Sequence, residues 1–401
     1  MPTTLITVAH ARELVLEASL PLAAEPVEIE HALGRVLARD VRAAGNVPPF
    51  PSSAMDGYAV VAGDRGRRLT VAGESRAGAP SPRPLRDGEA IRISTGAAVP
   101  AGATAVIPQE NVTVATGAIE TALAVAPGEN VREPGEDIRA GSTVLEAPTR
   151  LGGVGLGAAA AAGAGSVSVV RRPRVAVLCT GDELRAPGEP LGPGEIHNSN
   201  APMLTGLAVG AGAQTTAAQR LPDDRVATEA GIAAALEHCD VVIISGGVSV
   251  GPHDHVKPAL EALGVQEVFW SVALQPGKPT WFGHRGEALV FGLPGNPVSA
   301  VVTFSLFVAP ALAAQQGMAA PEPGLGSEAV LGMPVRRNPR REQAVRVRLQ
   351  RDGGRTVAFP NGAQGSHILT SLIGADALAM IPAGDGTLAA GARVCLEALA
   401  G

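Results

Sequence analysis

The spacing of apolar positions changes character along the chain. Between Thr7 and Ser19 the apolar residues Val8, Ala11, Leu14, Val15 and Ala18 recur every three or four positions. That is helical spacing, with Thr7 placed to cap the first turn. A second short helix is expected over Ile29–Leu37. From Val47 to about Asp137 the period shortens, and Gly and Pro separate five short strands: Tyr58–Val61, Leu69–Ala72, Ala90–Ile93, Ala105–Ile107 and Asn111–Val114. They read as a β-rich module inserted into another element. The run Leu151 to Gly165 reads as a small-residue helix packed on a sheet.

From Arg174 strands and helices alternate. Strands are expected at Val175–Cys179, Thr215–Ala218, Asp240–Ser245 and Ala288–Phe291. Helices are expected at about Asn200–Ala211, Arg225–His238, His255–Leu263 and Val298–Ala313. Repeated β-α units imply a mostly parallel sheet covered on both faces. Beyond the linker Pro321–Gly326 the β pattern returns, with strands at Ala344–Gln350, Thr356–Phe359, Ala377–Ile381 and Arg393–Leu396. A small β-barrel or sandwich fits. The expected architecture is multidomain α/β plus β. An N-terminal domain comprises 1–46 and 139–170, the inserted β-rich module 47–138, the α/β domain 171–320, and the C-terminal β-barrel 326–401.

Composition narrows the class. With 46% hydrophobic and 17% charged residues the chain is globular and not disordered. A net charge of −6 and only ten aromatic residues argue against a nucleic-acid binder, which needs cations and stacking platforms. Three cysteines without metal spacing read as reduced thiols of a cytoplasmic protein. No basic segment followed by an apolar core marks the start as a secretory signal. Leu151 to Gly165 is too short and glycine-rich to span a bilayer, so no membrane partner is expected. The same run holds Gly155-Leu-Gly-Ala-Ala-Ala160, but no strand precedes it and no acid follows for a ribose, so a dinucleotide site is set aside.

Three loops fall where strands of the α/β domain end, which is where such sheets bind ligands. They are Thr180-Gly181-Asp182-Glu183, Ser245-Gly246-Gly247-Val248-Ser249-Val250-Gly251, and Leu293-Pro294-Gly295-Asn296-Pro297, the last opening into a helix. Glycines let backbone N–H groups approach oxygens, and a helix N-terminus adds positive charge, so the loops suit phosphate. Glu183, Asp224 and Asp254 project from the same edge. Carboxylates facing a phosphorylated ligand need a neutraliser, usually Mg²⁺ held by one or two acids, and the three acids are candidate metal ligands. Asp223 and Asp224 also read as a cap for the following helix. Gly247 to Gly251 satisfies the G-x-S-x-G pattern of a serine hydrolase, without a convincing triad partner in His284 or His367. His253 and His255 at i,i+2 point apart on a helix, which disfavours a metal pair there.

Read in order, the motifs resemble the molybdopterin molybdenumtransferase (MoeA) family, whose eukaryotic relative is the C-terminal part of gephyrin. They are Pro48-Pro-Phe-Pro-Ser-Ser-Ala-Met-Asp-Gly-Tyr58, Ile93-Ser-Thr-Gly-Ala-Ala-Val-Pro100, Gly135-Glu-Asp-Ile-Arg139, Thr180-Gly-Asp-Glu-Leu184, Ser245-Gly-Gly-Val-Ser249, Pro276-Gly-Lys-Pro279, Leu293-Pro-Gly-Asn-Pro297 and Gln364-Gly-Ser-His367. They span nearly the whole chain. The resemblance implies an elongated N-terminal domain and a homodimer. It also implies a transferase that uses molybdate and adenylylated molybdopterin to make molybdenum cofactor and AMP, assisted by Mg²⁺. By position, Asp56 and Asp137 match acids important for activity, and Glu183, Asp224 and Asp254 match acids around the nucleotide and metal. Thr180, Gly181, Ser245, Gly246, Gly247, Ser249, Pro294, Gly295 and Asn296 would hold the pterin and nucleotide phosphates. Arg346 and Ser366 match residues proposed to hold molybdate, a role that suits a guanidinium fork and a hydroxyl.

The resemblance departs at two positions. Lysines expected just after Phe269-Trp270 and just before Pro276 are Ser271 and Gln275 here, leaving Lys278. Fewer cations imply weaker oxyanion capture or a different preference, tungstate for instance. A non-catalytic molybdopterin-binding or scaffold protein is therefore the competing expectation. An adenylyltransferase is a further one, against which the extra β modules argue.

Overall fold

The structure, a computed structural model, describes residues 5–247, 255–319 and 328–400. These belong to two compact units, Pro26–Val169 and the remainder, Met1–Glu25 with Val170–Gly401. In the first unit a six-stranded sheet runs in the order Ala105–Pro108, Gly57–Val60, Glu89–Ile93, Arg68–Ser75, Ala118–Thr121, Val112–Ala115. Neighbouring side chains alternate between its two faces. Tyr58, Val60, Ile107 and Ile119 form one apolar cluster, while Ala59, Ile91, Ile93 and Val106 form another. The rest of the unit packs the helix Gly153–Ala161 over Leu37, Val41, Leu151, Val167 and Val169.

The helix expected over Ile29–Leu37 is not formed. A single 3-10 turn, Ile29–His31, is followed by the strand Val36–Leu37. Gly34 turns the chain with φ +73°, and the backbone then pairs sideways, Leu37 N donating to Thr149 O at 2.9 Å and Leu151 N to Arg35 O at 2.8 Å. Once those amides serve a neighbouring strand, they are lost to a helix.

The second unit is built on a seven-stranded sheet. Arg174–Thr180, Val241–Ser245 and Ala288–Leu293 lie side by side in parallel. Trp281–Arg285 and Gln266–Trp270 extend the sheet antiparallel. The parallel strands are apolar through 175–179, 241–244 and 289–291 because both faces are buried there. Val175, Val177, Ile243 and Phe291 face a core shared with the helix Asn200–Gly210 through Leu204 and Ala208. Ala176, Leu178, Val242 and Ile244 face Ile232 and Leu236 of the helix Arg225–His238 and Leu260 of Val256–Ala262. The strand expected at Thr215–Ala218 is two shorter ones, Gln214–Thr215 and Gln219–Leu221. Both pair with Arg174–Thr180, one at each end.

One helical run, Pro297–Gln315, has the length and apolarity of a membrane span, yet most of it is buried inside the unit. Its middle, Phe304–Val308, is a π-turn with every side chain buried. Burial on all sides accounts for the composition. The helix Val8–Ala18, capped by Thr7 Oγ1 accepting from His10 N at 3.2 Å, packs here as well. Val8, Ala11 and Val15 join the α/β core, so this helix belongs with that core and not with 139–170.

The C-terminal strands close on themselves. Glu342–Asp352, Arg355–Pro360, Glu328–Leu331, Arg393–Ala398 and Ala377–Ile381 pair in that order, and the last pairs back to the first. Val345, Val347, Ala358, Ala379 and Ile381 fill this barrel, while Ala344, Leu378 and Met380 turn outward into the α/β core.

Candidate functional site

The parallel strands end at a cleft of about 540 Å³. Its floor is made by the three glycine turns after Arg174–Thr180, Val241–Ser245 and Ala288–Leu293. Gly246 and Gly247 lie at φ +90° and +64°. A Cβ on Gly246 would meet Thr180 Oγ1 at 2.8 Å, and one on Gly181 would meet the Glu183 carboxylate at 2.5 Å. At Gly246 the same Cβ would also meet Thr180 O at 3.0 Å, so the approach of these two backbones requires glycine. Gly295, Asn296 and Pro297 open the Pro297–Gln315 helix, so its positive end faces the cleft.

Asn200 ties the turns together. Its Nδ2 donates to Ser245 Oγ and to Gly295 O, both at 2.8 Å. A carbonyl only accepts, which fixes the orientation of the amide. The Asn200 Oδ1 is buried and has no donor among the described residues. Asn198 caps the same helix by accepting from Ala201 N at 3.0 Å. It also bonds the Cys179 thiol, which burial nevertheless pushes up to about 11. The thiol is therefore protonated near neutral pH and is no nucleophile. Sequence reasoning missed Asn198, Asn200 and the exposed His197, although Ser199-Asn200 opening a helix after the first glycine turn is a signal that could have been used.

Acids edge the cleft. Glu183 and Asp223 line it. Asp182 and Asp223 bond each other's backbone, Asp182 N to Asp223 Oδ2 at 3.3 Å and Asp223 N to Asp182 Oδ1 at 3.2 Å. Asp224 does something else: it caps Arg225–His238, accepting from Ala227 N at 2.8 Å. The cap reading holds for Asp224, and Asp223 is the acid beside Glu183. Pro294 contributes its carbonyl, 3.5 Å from Ser245 Oγ. Residues 248–251 of the hydrolase pattern, Ser249 among them, lie outside the described residues, as do His253 and Asp254.

The barrel reaches this edge. Asn296 Nδ2 donates to Ser366 Oγ at 3.3 Å, and Val298 N to Ser366 O at 3.2 Å. One residue away, Gly365 O accepts from Arg346 Nη2 at 3.3 Å. Arg346 is 1% exposed, and no carboxylate pairs with it among the described residues. Burial pushes its guanidinium down to about 10, which leaves it charged at neutral pH.

Lys278 is exposed in the loop 276–280, after the short strand Leu274–Gln275, and does not line the cleft. Ser271 is buried at φ +74°. Gln275 Oε1 is taken by Asn338 Nδ2 at 2.5 Å. In the unit Pro26–Val169, a separate hollow of about 710 Å³ is lined by Phe50, Arg132, Glu136 and Asp137. Asp56 accepts from Thr95 N at 2.7 Å, beside the lining residue Gly96.

A parallel sheet with glycine turns at its carboxyl edge, a helix N-terminus beneath them and a barrel serine docked on that terminus define an α/β protein with an accessory barrel and a cleft suited to an anion. Residues 176–314 match the family described as "Probable molybdopterin binding domain". Residues 6–163 match the MoeA N-terminal region (domain I and II), and 328–399 the MoeA C-terminal region (domain IV). The chain is 37% identical over 98% of its length to a molybdopterin molybdenumtransferase of Haemophilus influenzae, covering 98% of that protein. It is 34% identical to one of Bacillus subtilis, over 90% of this chain and 86% of that one. A crystal structure of a molybdopterin biosynthesis moeA protein from Pyrococcus horikosii superposes with a TM-score of 0.83 at 34% identity, covering 99% of this chain and all of the other. The chain belongs to the MoeA family.

Proposed function

We propose that this protein is a molybdopterin molybdenumtransferase, converting molybdate and adenylylated molybdopterin to molybdenum cofactor and AMP. The observation that carries this reading is the junction of two anion-suited sites. The glycine turns and helix N-terminus suit the phosphates of the pterin and nucleotide, and Ser366 with Arg346 suits the molybdate. Asn296 and Ser366 hold the two sites in one edge, as a reaction between two anions requires. Fixed donors and a buried guanidinium stabilise that encounter better than water would.

The acids at the cleft fit Mg²⁺. Hard cations take oxygen ligands and are commonly held by one or two carboxylates plus substrate phosphates, and Glu183 and Asp223 line the cleft together. Those two would hold the ion, with Asp254 as a further candidate; Asp224 gives its Oδ1 to the helix cap. When bound, the ion would neutralise phosphate charge. Asp56 and Asp137 are proposed to act in the same reaction, and the assembly is proposed to be a homodimer, both on family membership.

Incubated with adenylylated molybdopterin, Mg²⁺ and molybdate, the protein should release AMP in proportion to bound pterin. Pterin binding with no molybdate-dependent AMP at any concentration would instead establish the scaffold reading. A second reading is favoured by one observation: neither Ser271 nor Gln275 supplies a cation, and Gln275 is bonded to Asn338. Running the same reaction with tungstate decides whether the oxyanion preference has shifted.

A further inference from the structure

Arg346 is held by neutral groups alone. Its Nε donates to Ser371 Oγ at 3.2 Å, and its Nη2 to Ala363 O and Gly365 O at 3.2 and 3.3 Å. Nη1 has no partner among the described residues. The Arg346 backbone is clamped as well, its N donating to Gln364 Oε1 at 3.0 Å and its O accepting from Gln364 Nε2 at 3.2 Å. Buried arginines usually face a carboxylate, because an unpaired buried charge is costly. Here the cost is retained, and the guanidinium keeps its charge unneutralised.

Among the described residues, Ser371 is the one side chain bonded to the guanidinium. It is 4% exposed, in the 3-10 turn Leu369–Leu372. Its hydroxyl proton is committed to Ile368 O at 2.6 Å, so the lone pairs of Oγ are what Nε meets. The turn is held in place by Asn361, whose Nδ2 donates to Ser371 O at 2.8 Å and Ile373 O at 3.0 Å. A serine hydroxyl here fixes the plane of the fork without discharging it. A carboxylate would fix the plane and neutralise the charge.

We infer that Ser371 is a positioning residue for oxyanion capture. It holds Arg346 through Nε so that the Nη1 group, unpartnered among the described residues, is reserved for a doubly charged tetrahedral oxyanion. This rests on the proposed molybdate role of Arg346, and its test separates the two. Molybdate-dependent AMP release is measured as a function of molybdate for Ser371→Ala, Ser371→Thr and Arg346→Met, along with the rise in melting temperature that molybdate causes in the protein without pterin. Loss of one oriented hydrogen bond to a charged group corresponds to about tenfold. Ser371→Ala should raise the KM for molybdate about tenfold with kcat at saturation nearly unchanged, and should shrink the molybdate-induced thermal shift. Ser371→Thr, which keeps the hydroxyl, should restore both. Arg346→Met should lose saturation by molybdate altogether. If Arg346→Met raises KM and Ser371→Ala does not, the inference falls and the function stands. If Arg346→Met also leaves KM unchanged, the molybdate role of the barrel falls first. A kcat loss at unchanged KM in Ser371→Ala, not rescued by threonine, marks a merely structural serine and overturns the inference. Should Ser371→Ala not fold, Ser371→Cys, whose sulfur accepts only weakly, is read in the same way.

Discussion

Asp240 shows how one residue is tuned at the end of the sheet opposite the cleft. It precedes Val241–Ser245, where Arg171 grips it with Nη1 to Oδ2 at 2.6 Å and Nη2 to Oδ1 at 2.7 Å, and Arg174 N adds a bond of 2.8 Å. Burial acts to raise its pKa, but these donors more than compensate and hold it at about 2. The folded-state value lies below the unfolded one, so the stabilisation is present above the ordinary range near 4 and is lost as pH falls through about 2. Asp240→Asn should therefore cost about 2 kcal/mol at pH 7. The difference from the natural protein should close under acid, read as converging denaturation midpoints between about pH 4 and pH 2. The contrast with Arg346 is instructive: there, burial acts without an opposite charge among the described residues, at the residue proposed to hold the oxyanion.

At the scale of elements, strand and helix identity is set by periodicity, and the chemistry is set by the turns between them. The turn Ser245-Gly246-Gly247 places its backbone against Thr180 at a distance no Cβ tolerates. Gly246→Ala should cost about 1–3 kcal/mol of stability. It should also displace the turn from the cleft, so that pterin binding falls by more than the stability loss explains. Titration of the folded variant with molybdopterin checks this, and unchanged affinity would show that the turn does not touch the ligand. The departures from expectation also belong to this scale. Ile29–Leu37 carries helix-compatible spacing, but Gly34 and sideways pairing with 149–151 took its amides. The Thr215–Ala218 strand broke in two because both ends of Arg174–Thr180 offered a partner.

Across the second unit, polar contacts join segments distant in sequence. Arg12 of the first helix is 3% exposed and grips Glu397 of the last strand, with Nη1–Oε1 and Nη2–Oε2 both at 2.9 Å. Its Nε donates to Leu306 O at 3.2 Å in the π-turn of the core helix. Glu342 is close to the same pair, and burial, with Glu397 adding, raises its pKa. Arg12→Ala leaves two carboxylates without their cation and should cost about 3–5 kcal/mol near neutral pH. With the cation gone, Glu342, already raised by burial and by Glu397, rises further. The loss should then be smaller at about pH 5 than at pH 7, as protonation relieves the repulsion. Thermal melts at the two values test this, and a loss independent of pH would show that packing alone is at stake.

The β-α alternation from Arg174, the β-rich character of 47–138 and the closing β-region were all legible in the sequence, because an apolar period is a local property of consecutive residues. The three glycine turns were legible for the same reason, and their order with the flanking motifs pointed to the family. The sequence did not reveal that Val8–Ala18 serves the α/β core, since its apolar stripe fits any apolar surface of the right width. Nor did it distinguish Asp223 at the cleft from Asp224 in a helix cap, because one residue of register decides which carboxylate meets the helix amides. Asn200 was invisible as the tie between Ser245 and Gly295, residues 45 and 95 positions away. The chain alone thus determined its elements and its chemistry by type. Which side chains meet, and which charge is left unpaired, was decided only when distant segments packed together.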